Sequence, residues 1–406
     1  MEQVLYKLPD GWVWHSVKKL SHNIQYGHTA KAESNGNAKF LRITDIQDGK
    51  INWQGVPTVS LEEKEISKYA LNDDDLIFAR SGATAGKSIL IKNAPKDAVF
   101  ASYLIRIVPN KKDIIPEYLS YFFLTPAYWE VVGQNAAGAA QPNINGTKLS
   151  EFIVPVAPQC EQKRIVEKLD TLLTRIDTAI EHLQESVTLK NSLLQSALDG
   201  QFSAITDRMT IESLAEVKGG KRLPKGEKLS DEETEHPYIR VADFTDKGTI
   251  DLSGIKYVSK EIHKQIKRYV ISKDDLYISI AGTIGKTGFV PPELDGANLT
   301  ENAAKLVIRD KQQLDLSYLY LFTLTSDFSA QAGLATKKVA QPKLALTRLS
   351  KIEIPMCSLE EQKALVSTIE TLKSKIHDAE EALLGKIEDL KSLKASILDS
   401  AFKGEL

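Results

Sequence analysis

Ala140-Gln141-Pro142, Thr147-Lys148-Leu149-Ser150 and Val154-Pro155 return as Ala340-Gln341-Pro342, Thr347-Arg348-Leu349-Ser350 and Ile354-Pro355, each 200 positions further on. In a chain of 406 residues such a spacing means one structural plan used twice. Outward from this stretch the copies keep the same order. Upstream, Tyr118-Leu119-Ser120-Tyr121-Phe122 matches Tyr318-Leu319-Tyr320-Leu321-Phe322. Asp74-Asp75-Leu76-Ile77, leading to Ser81-Gly82 and Gly86-Lys87, matches Asp274-Asp275-Leu276-Tyr277, leading to Ala281-Gly282 and Gly285-Lys286. Earlier still, Phe40-Leu41-Arg42-Ile43-Thr44-Asp45-Ile46 matches Tyr238-Ile239-Arg240-Val241-Ala242-Asp243-Phe244. Downstream, each copy enters a helical pattern through Glu161-Gln162-Lys163 or Glu361-Gln362-Lys363. At the ends, Leu189-Lys190-Asn191-Ser192-Leu193-Leu194 with Gly200 parallels Leu393-Lys394-Ala395-Ser396-Ile397-Leu398 with Gly404 at an offset of 204. That offset predicts four extra residues, about one turn, inside the second helix.

The two helical segments carry narrow apolar stripes. Ile165, Leu169, Leu172, Ile176, Ile180, Leu183 and Val187 recur at three- and four-residue steps, as do Ile369, Leu372, Ile376, Ala379, Leu383, Ile387 and Leu390. So long and narrow a stripe asks for a partner helix, and the other copy is the obvious one. Ser358 with Glu361 reads as a capping box, and Gly200 and Gly404 as left-handed C-terminal caps. Helices of about 36 to 40 residues would be about 55 to 60 Å long. Paired antiparallel, they would act as a ruler between two globular domains; a coiled coil that only dimerises or scaffolds is the other reading.

Between the helices, short Val-, Ile-, Tyr- and Phe-rich segments such as 40–46 and 99–108 alternate with Gly, Asn and Asp clusters. The fold class expected is α+β: two duplicated mixed α/β domains with curved sheets and a few short helices such as 116–123, separated by two long helices pairing as an antiparallel coiled coil. The boundaries expected are 1–157 and 203–357 for the domains, 158–202 for the central spacer helix and 358–406 for the C-terminal one. All four tryptophans, Trp12, Trp14, Trp53 and Trp129, fall in the first domain, so the copies have diverged in their side chains.

Charge narrows the function. The net charge is −2, which excludes a protein that coats nucleic acid by bulk electrostatics. The segments 161–200 and 360–406 hold five basic against seven acidic and seven against ten, so the remainder carries +3 and is the better face for an anion. No stretch reaches the roughly 18 apolar residues of a membrane span, and residues 1–9 do not read as a secretory signal, so a cytoplasmic protein without membrane contact is expected. Cys160 and Cys357 make no disulfide framework, and the seven histidines show no metal-ligand spacing; two small semi-buried thiols are expected.

Candidate contact residues lie in the turns. Gly82-Ala83-Thr84-Ala85-Gly86-Lys87-Ser88 is one residue short of a nucleotide-binding loop, and Gly282-Thr283-Ile284-Gly285-Lys286-Thr287 is two short, which argues against ATP binding. Each reads either as a tight turn offering N–H groups and Lys87 or Lys286 to a phosphate, with Ser81 beside the first, or as a plain strand connection. Arg42 with Asp45 and Arg240 with Asp243 suit internal ion pairs, with DNA contact the lesser option. Gln141, Asn143, Gln341 and Lys343 could reach bases or phosphates. Lys31 and Lys148 in the first copy, and Lys221, Arg222, Lys225, Lys337, Lys338 and Arg348 in the second, supply local positive charge, as any solvated surface also would.

These residues resemble, over essentially the whole chain, the specificity subunit of type I restriction-modification enzymes. The resemblance is carried by Leu8-Pro9-Asp10-Gly11-Trp12, Leu41-Arg42 with Asp45-Ile46, Gln141-Pro142-Asn143-Ile144, and Glu161-Gln162-Lys163-Arg164-Ile165 running to Leu169-Asp170-Thr171-Leu172-Leu173. It implies two target recognition domains reading a bipartite site in double-stranded DNA, two methylation subunits docked on this chain, and restriction subunits that translocate and cleave. The second copy departs in opening with Thr210-Ile211-Glu212-Ser213-Leu214, which leaves its first residues less securely placed. Catalysis is then expected elsewhere, with no cofactor on this chain and S-adenosylmethionine and ATP on the partner subunits. The sequence has no Asn-Pro-Pro-Tyr-like methylation segment and no clear nuclease carboxylate cluster. A coiled-coil adaptor with two duplicated ligand-binding domains and no DNA is the alternative.

Overall fold

One short apolar run buried on both faces lies inside the main sheet of each copy. Leu76–Ala79 and Leu276–Ser279 are buried at every position, which suits central strands of four residues. The computed structural model describes residues 3, 5–47, 49–136, 143–333 and 343–406. The chain divides into two units, Met1–Gln184 with Leu384–Leu406, and Glu185–Leu383.

In the first unit a four-stranded antiparallel sheet runs Ser21–Tyr26, Leu104–Pro109, Leu76–Ala79, Ser88–Leu90. In the second, Ala215–Gly219, Ala303–Ile308, Leu276–Ser279 and Thr287–Phe289 take the same order. Beside each main sheet lies a smaller one around a parallel pair, Ala38–Leu41 with Ala98–Phe100 and Pro237–Ile239 with Ala297–Leu299. The apolar run 99–108 is therefore not one strand: Ala98–Phe100 and Leu104–Pro109 belong to different sheets. The duplication extends to buried charge, for Asp75 faces Arg106 at 3.6 Å where Asp275 faces Lys305 at 2.8 Å.

The opening of the second copy is also placed. Arg208–Thr210 pairs with Glu353–Pro355 as Val13–Ser16 pairs with Ile153–Val156, so Thr210 ends, and Ile211 to Leu214 follows, a strand equivalent to the one at Trp14. The helix expected near 116–123 is Pro116–Phe122, with proline at its first turn where no N–H is needed. Cys160 is exposed rather than semi-buried, and Cys357 is half-buried.

Both long helices, Gln159–Ser203 and Leu359–Lys403, have 45 residues, longer than the stripes suggested and equal to each other. The expected four-residue gain is absent. Gly200 lies inside its helix, whereas Gly404 does cap the other at φ +76°. The correct offset is 200, because Phe202 packs on Tyr318 and Phe322 as Phe402 packs on Tyr118 and Phe122. Local similarity of Leu-Lys-x-Ser runs had suggested a shifted match; burial of the two phenylalanines overrides it.

Within each unit the helices run antiparallel. In the first, Arg164 donates to the Leu406 carbonyl at 2.9 Å and Lys394 meets Asp177 at 2.6 Å. In the second, Lys190 pairs with Glu380, and Leu198 and Phe202 share a core with Leu365 and Ile369. Leu173 joins the buried stripe, while Ala379 is exposed. The start of each helix is tied to its domain by a buried amide. Gln162 accepts the Ile115 N–H at 2.8 Å and donates to the Ala157 carbonyl at 2.8 Å; Gln362 accepts the Asp315 N–H at 2.9 Å and donates to the Gln313 and Cys357 carbonyls. This accounts for the Gln that both copies carry at that point. The Ser358–Glu361 capping box forms, with the Glu361 N–H donating to Ser358 Oγ at 3.3 Å and the Ser358 N–H to Glu361 Oε2 at 2.9 Å.

Candidate nucleic-acid interface

Three segments meet at one corner of each domain, and the backbone dictates the meeting. The first is the crossing from the smaller sheet to the main one, at 101–103 in the first copy and 300–302 in the second. The second is the end of the edge strand. Gly27 donates to the Leu104 carbonyl and His28 to that of Phe100; Gly220 donates to Ala303 and Lys221 to Leu299 in the same way. A Cβ on Gly27 would lie 2.3 Å from the Phe100 and Ala101 carbonyl oxygens, and one on Gly220 2.0 Å from that of Thr300, so only glycine lets the strand pass so close. The third segment is the stretch at 143–144 or 343–344. Asn143 bridges to Ser81 and Lys343 to Ala281, and the Ile144 and Leu344 N–H groups donate to the Arg80 and Ile280 carbonyls at 2.9 Å.

This shared hydrogen bonding aligns the corners residue by residue. His28, Thr29, Arg80, Ser81, Ser102, Tyr103 and Asn143 stand where the second copy has Lys221, Arg222, Ile280, Ala281, Glu301, Asn302 and Lys343. Every pair differs. One backbone frame carries two unrelated sets of side chains.

In the second copy the corner holds a groove of about 600 Å³ lined by Gly219, Gly220, Lys221, Arg222, Ile280, Glu301 and 343–346. Arg222 and Glu301 also line an adjoining groove with Lys225, Tyr238, Arg240 and Thr300. The fold thus gathers five of the sequence-predicted residues, Lys221, Arg222, Lys225, Arg240 and Lys343. Lys221 sits over the Tyr269 ring, 5.6 Å from its centroid. Lys286 is drawn elsewhere, to Asp246 at 2.7 Å, and Arg348 donates to the Gln331 carbonyl at 3.2 Å.

The first corner is less charged and more aromatic. Arg80 lies over the Tyr26 ring at 5.2 Å, and the Tyr26 hydroxyl accepts the Gly146 N–H at 2.8 Å. Tyr103 is 67% exposed, an aromatic face open to solvent. Lys31, Lys87 and Asn143 are exposed, and Lys148 sits in the short helix Gly146–Glu151 capped by Asn145. Gly82 and Gly282 open left-handed turns between main-sheet strands, at φ +78° and +77°. Arg42 and Arg240 form the expected ion pairs, to Asp45 at 2.8 Å and Asp243 at 2.5 Å, and the hydrogen bonds that Arg42 donates to Asp45 lift its guanidinium above its ordinary range. Gln141, Lys337, Lys338 and Gln341 lie outside the described residues.

Glu301, Tyr103, Arg80 and Tyr26 were not anticipated from sequence. Aligning Ser102-Tyr103 with Glu301-Asn302 was the available signal, since the flanking strands match while these residues do not. Among the described residues no helix is long and apolar enough to cross a membrane, and no group of three His, Cys, Asp or Glu side chains is arranged for a metal.

A family model described as the type I restriction modification DNA specificity domain matches this chain twice, over residues 22–190 and 206–389. The chain belongs to that family. The specificity subunit of the EcoBI type I restriction enzyme from Escherichia coli is 26% identical over 438 residues, covering 99% of this chain and 88% of that protein. Among solved structures, a chain from work on assembly and conformational transition of a type I restriction-modification system aligns with TM-score 0.75 at 20% identity, over 99% of this chain and 100% of the other. An HsdS subunit from Thermoanaerobacter tengcongensis gives 0.62 at 21% identity, with both chains fully covered. These two show the fold. As a type I specificity subunit the chain is a non-catalytic, DNA-recognising component, and each repeat seen in the sequence is one specificity domain.

Proposed function

We propose that each domain of this specificity subunit presents its three-segment corner to one half of a split double-stranded DNA target, the long helices setting the unread spacing between the halves. The observation that carries this is the pair of corners held by the same main-chain hydrogen bonds, whose seven aligned side chains all differ. A scaffold held by main-chain hydrogen bonds positions the reader, while side chains and local DNA shape specify sequence. Two different side-chain sets on one frame then read two different half-sites.

Two methylation subunits dock on this chain, and restriction subunits join them. Leu189, Leu193, Leu384 and Leu393 support helix-mediated docking, because large apolar side chains about half exposed on otherwise charged helices favour burial against a partner. S-adenosylmethionine and ATP are bound by the partner subunits, and the assembly works in the cytoplasm. A net charge of −2 accords with partners that supply much of the phosphate contact. The test is selection from random duplexes by this chain assembled with its methylation subunits, at two salt concentrations. A split motif with an unread spacer is expected. Uniform, steeply salt-dependent binding would overturn the proposal and restore the adaptor reading.

A further inference from the structure

Resting on that DNA-reading function, a sharper inference comes from one ion pair in the second corner. Arg222 projects from the loop just after Gly220 and is 79% exposed, yet its orientation is constrained: Nε donates to Glu301 Oε1 at 2.6 Å. Glu301 is itself anchored, 26% exposed, with the Thr300 hydroxyl donating to its other oxygen at 3.0 Å. Burial alone would raise the Glu301 carboxyl, but the bonds from Arg222 and Thr300 hold it below the usual range, so it is ionised at neutral pH. Among the described residues the two terminal nitrogens of Arg222, at the open end of the fork, make no hydrogen bond or ion pair.

A carboxylate in this position is ill-suited to a plain phosphate site. It repels phosphate and neutralises the arginine, where lysines such as Lys221 and Lys343 would serve better alone. It is well suited to orienting a guanidinium from behind. Held at Nε, the fork offers two parallel N–H donors outward, the arrangement that matches O6 and N7 of guanine in the major groove.

We propose that Arg222 is a specificity-determining residue that reads a guanine in the half-site of the second domain, with Glu301 as its positioning residue. The first domain has Thr29 and Ser102 at these places, so the contact belongs to one half-site only.

The experiment uses the assembled complex with its methylation subunits, comparing wild type with Arg222→Ala, Arg222→Lys, Glu301→Gln and Glu301→Ala by duplex selection and by affinity at two salt concentrations. The wild type should select a split motif containing a guanine in one half. Arg222→Ala should cost that guanine its preference by roughly ten- to a hundredfold and leave every other position unchanged. Arg222→Lys should lose the same preference despite keeping the charge. Glu301→Ala should weaken preference at that position without changing the salt slope, and Glu301→Gln, which retains an acceptor oxygen, should weaken it less. A uniform affinity loss in Arg222→Ala, with the salt slope falling by about one and lysine restoring binding, would make Arg222 a phosphate contact and overturn the proposal. An unchanged motif in Arg222→Ala would overturn it as well, while leaving the two-domain reading intact. A wild-type complex without a split motif would instead refute that underlying reading.

Discussion

Phe402→Ala tests how the chain closes on itself within the first unit. Phe402 is 2% exposed, with its ring centroid 4.8 Å from that of Tyr118 and 5.7 Å from that of Phe122. Removing a buried phenylalanine ring costs about 3 to 5 kcal/mol, from lost burial and the cavity left behind. With a urea slope of about 2 to 3 kcal/mol per molar, the midpoint should fall by about 1 to 2 M. The assay is built into the sequence, since Trp12, Trp14, Trp53 and Trp129 all lie in Met1–Gln184 and tryptophan fluorescence reports the first unit alone. Phe202→Ala removes the equivalent ring from the second unit, where it contacts Tyr318 and Phe322. It should move the transition seen by far-UV circular dichroism and leave the fluorescence midpoint nearly in place. A fluorescence shift under about 0.3 M for Phe402→Ala, or an equal one for Phe202→Ala, would refute the 200-residue register and the packing drawn from it.

Gln162→Leu should destabilise the first unit by about 2 to 4 kcal/mol in urea unfolding, because it strips the Ile115 N–H and the Ala157 carbonyl of their buried partner; a loss below about 0.5 kcal/mol would mean water replaces the amide. Asp199 accepts the Ser326 N–H at 2.8 Å and its hydroxyl at 2.7 Å; burial would raise its carboxyl, but these bonds hold it below the usual value. Its contribution is therefore present above the unfolded aspartate value of about 3.9 and disappears as pH falls through the lower folded value. Asp199→Ala should cost about 1 to 2 kcal/mol at neutral pH, with the gap to wild type closing in acid when unfolding is followed from pH 7 to pH 2; a constant gap would contradict this. Gly220→Ala would force a Cβ to within 2.0 Å of the Thr300 carbonyl oxygen, so Lys221 and Arg222 must shift. Duplex selection by the assembled complex should then lose the second half-site and keep the first, and an intact motif would show that the corner yields without consequence.

The duplication, the α+β class, the paired helices and the family were all legible in the sequence. Repeats, apolar periodicity and turn residues are local signals, imposed by backbone geometry wherever a segment lies in space. The ion pairs of Arg42 with Asp45 and Arg240 with Asp243 were legible for the same reason, their partners being three residues apart. The Gly200 cap and the four-residue offset were misread because Leu-Lys-x-Ser resemblance and a glycine are also local signals, whereas the register is set by Phe202 and Phe402 finding ring partners more than a hundred residues away. Nor could composition show that the run 99–108 divides between two sheets, or that Glu301 would stand behind Arg222. The sequence by itself determined that there are two copies of one plan, each a strand-rich domain followed by a long helix. Only the tertiary structure decided which side chains share a corner, because that depends on where distant strands cross, and a crossing leaves no periodic trace in the chain.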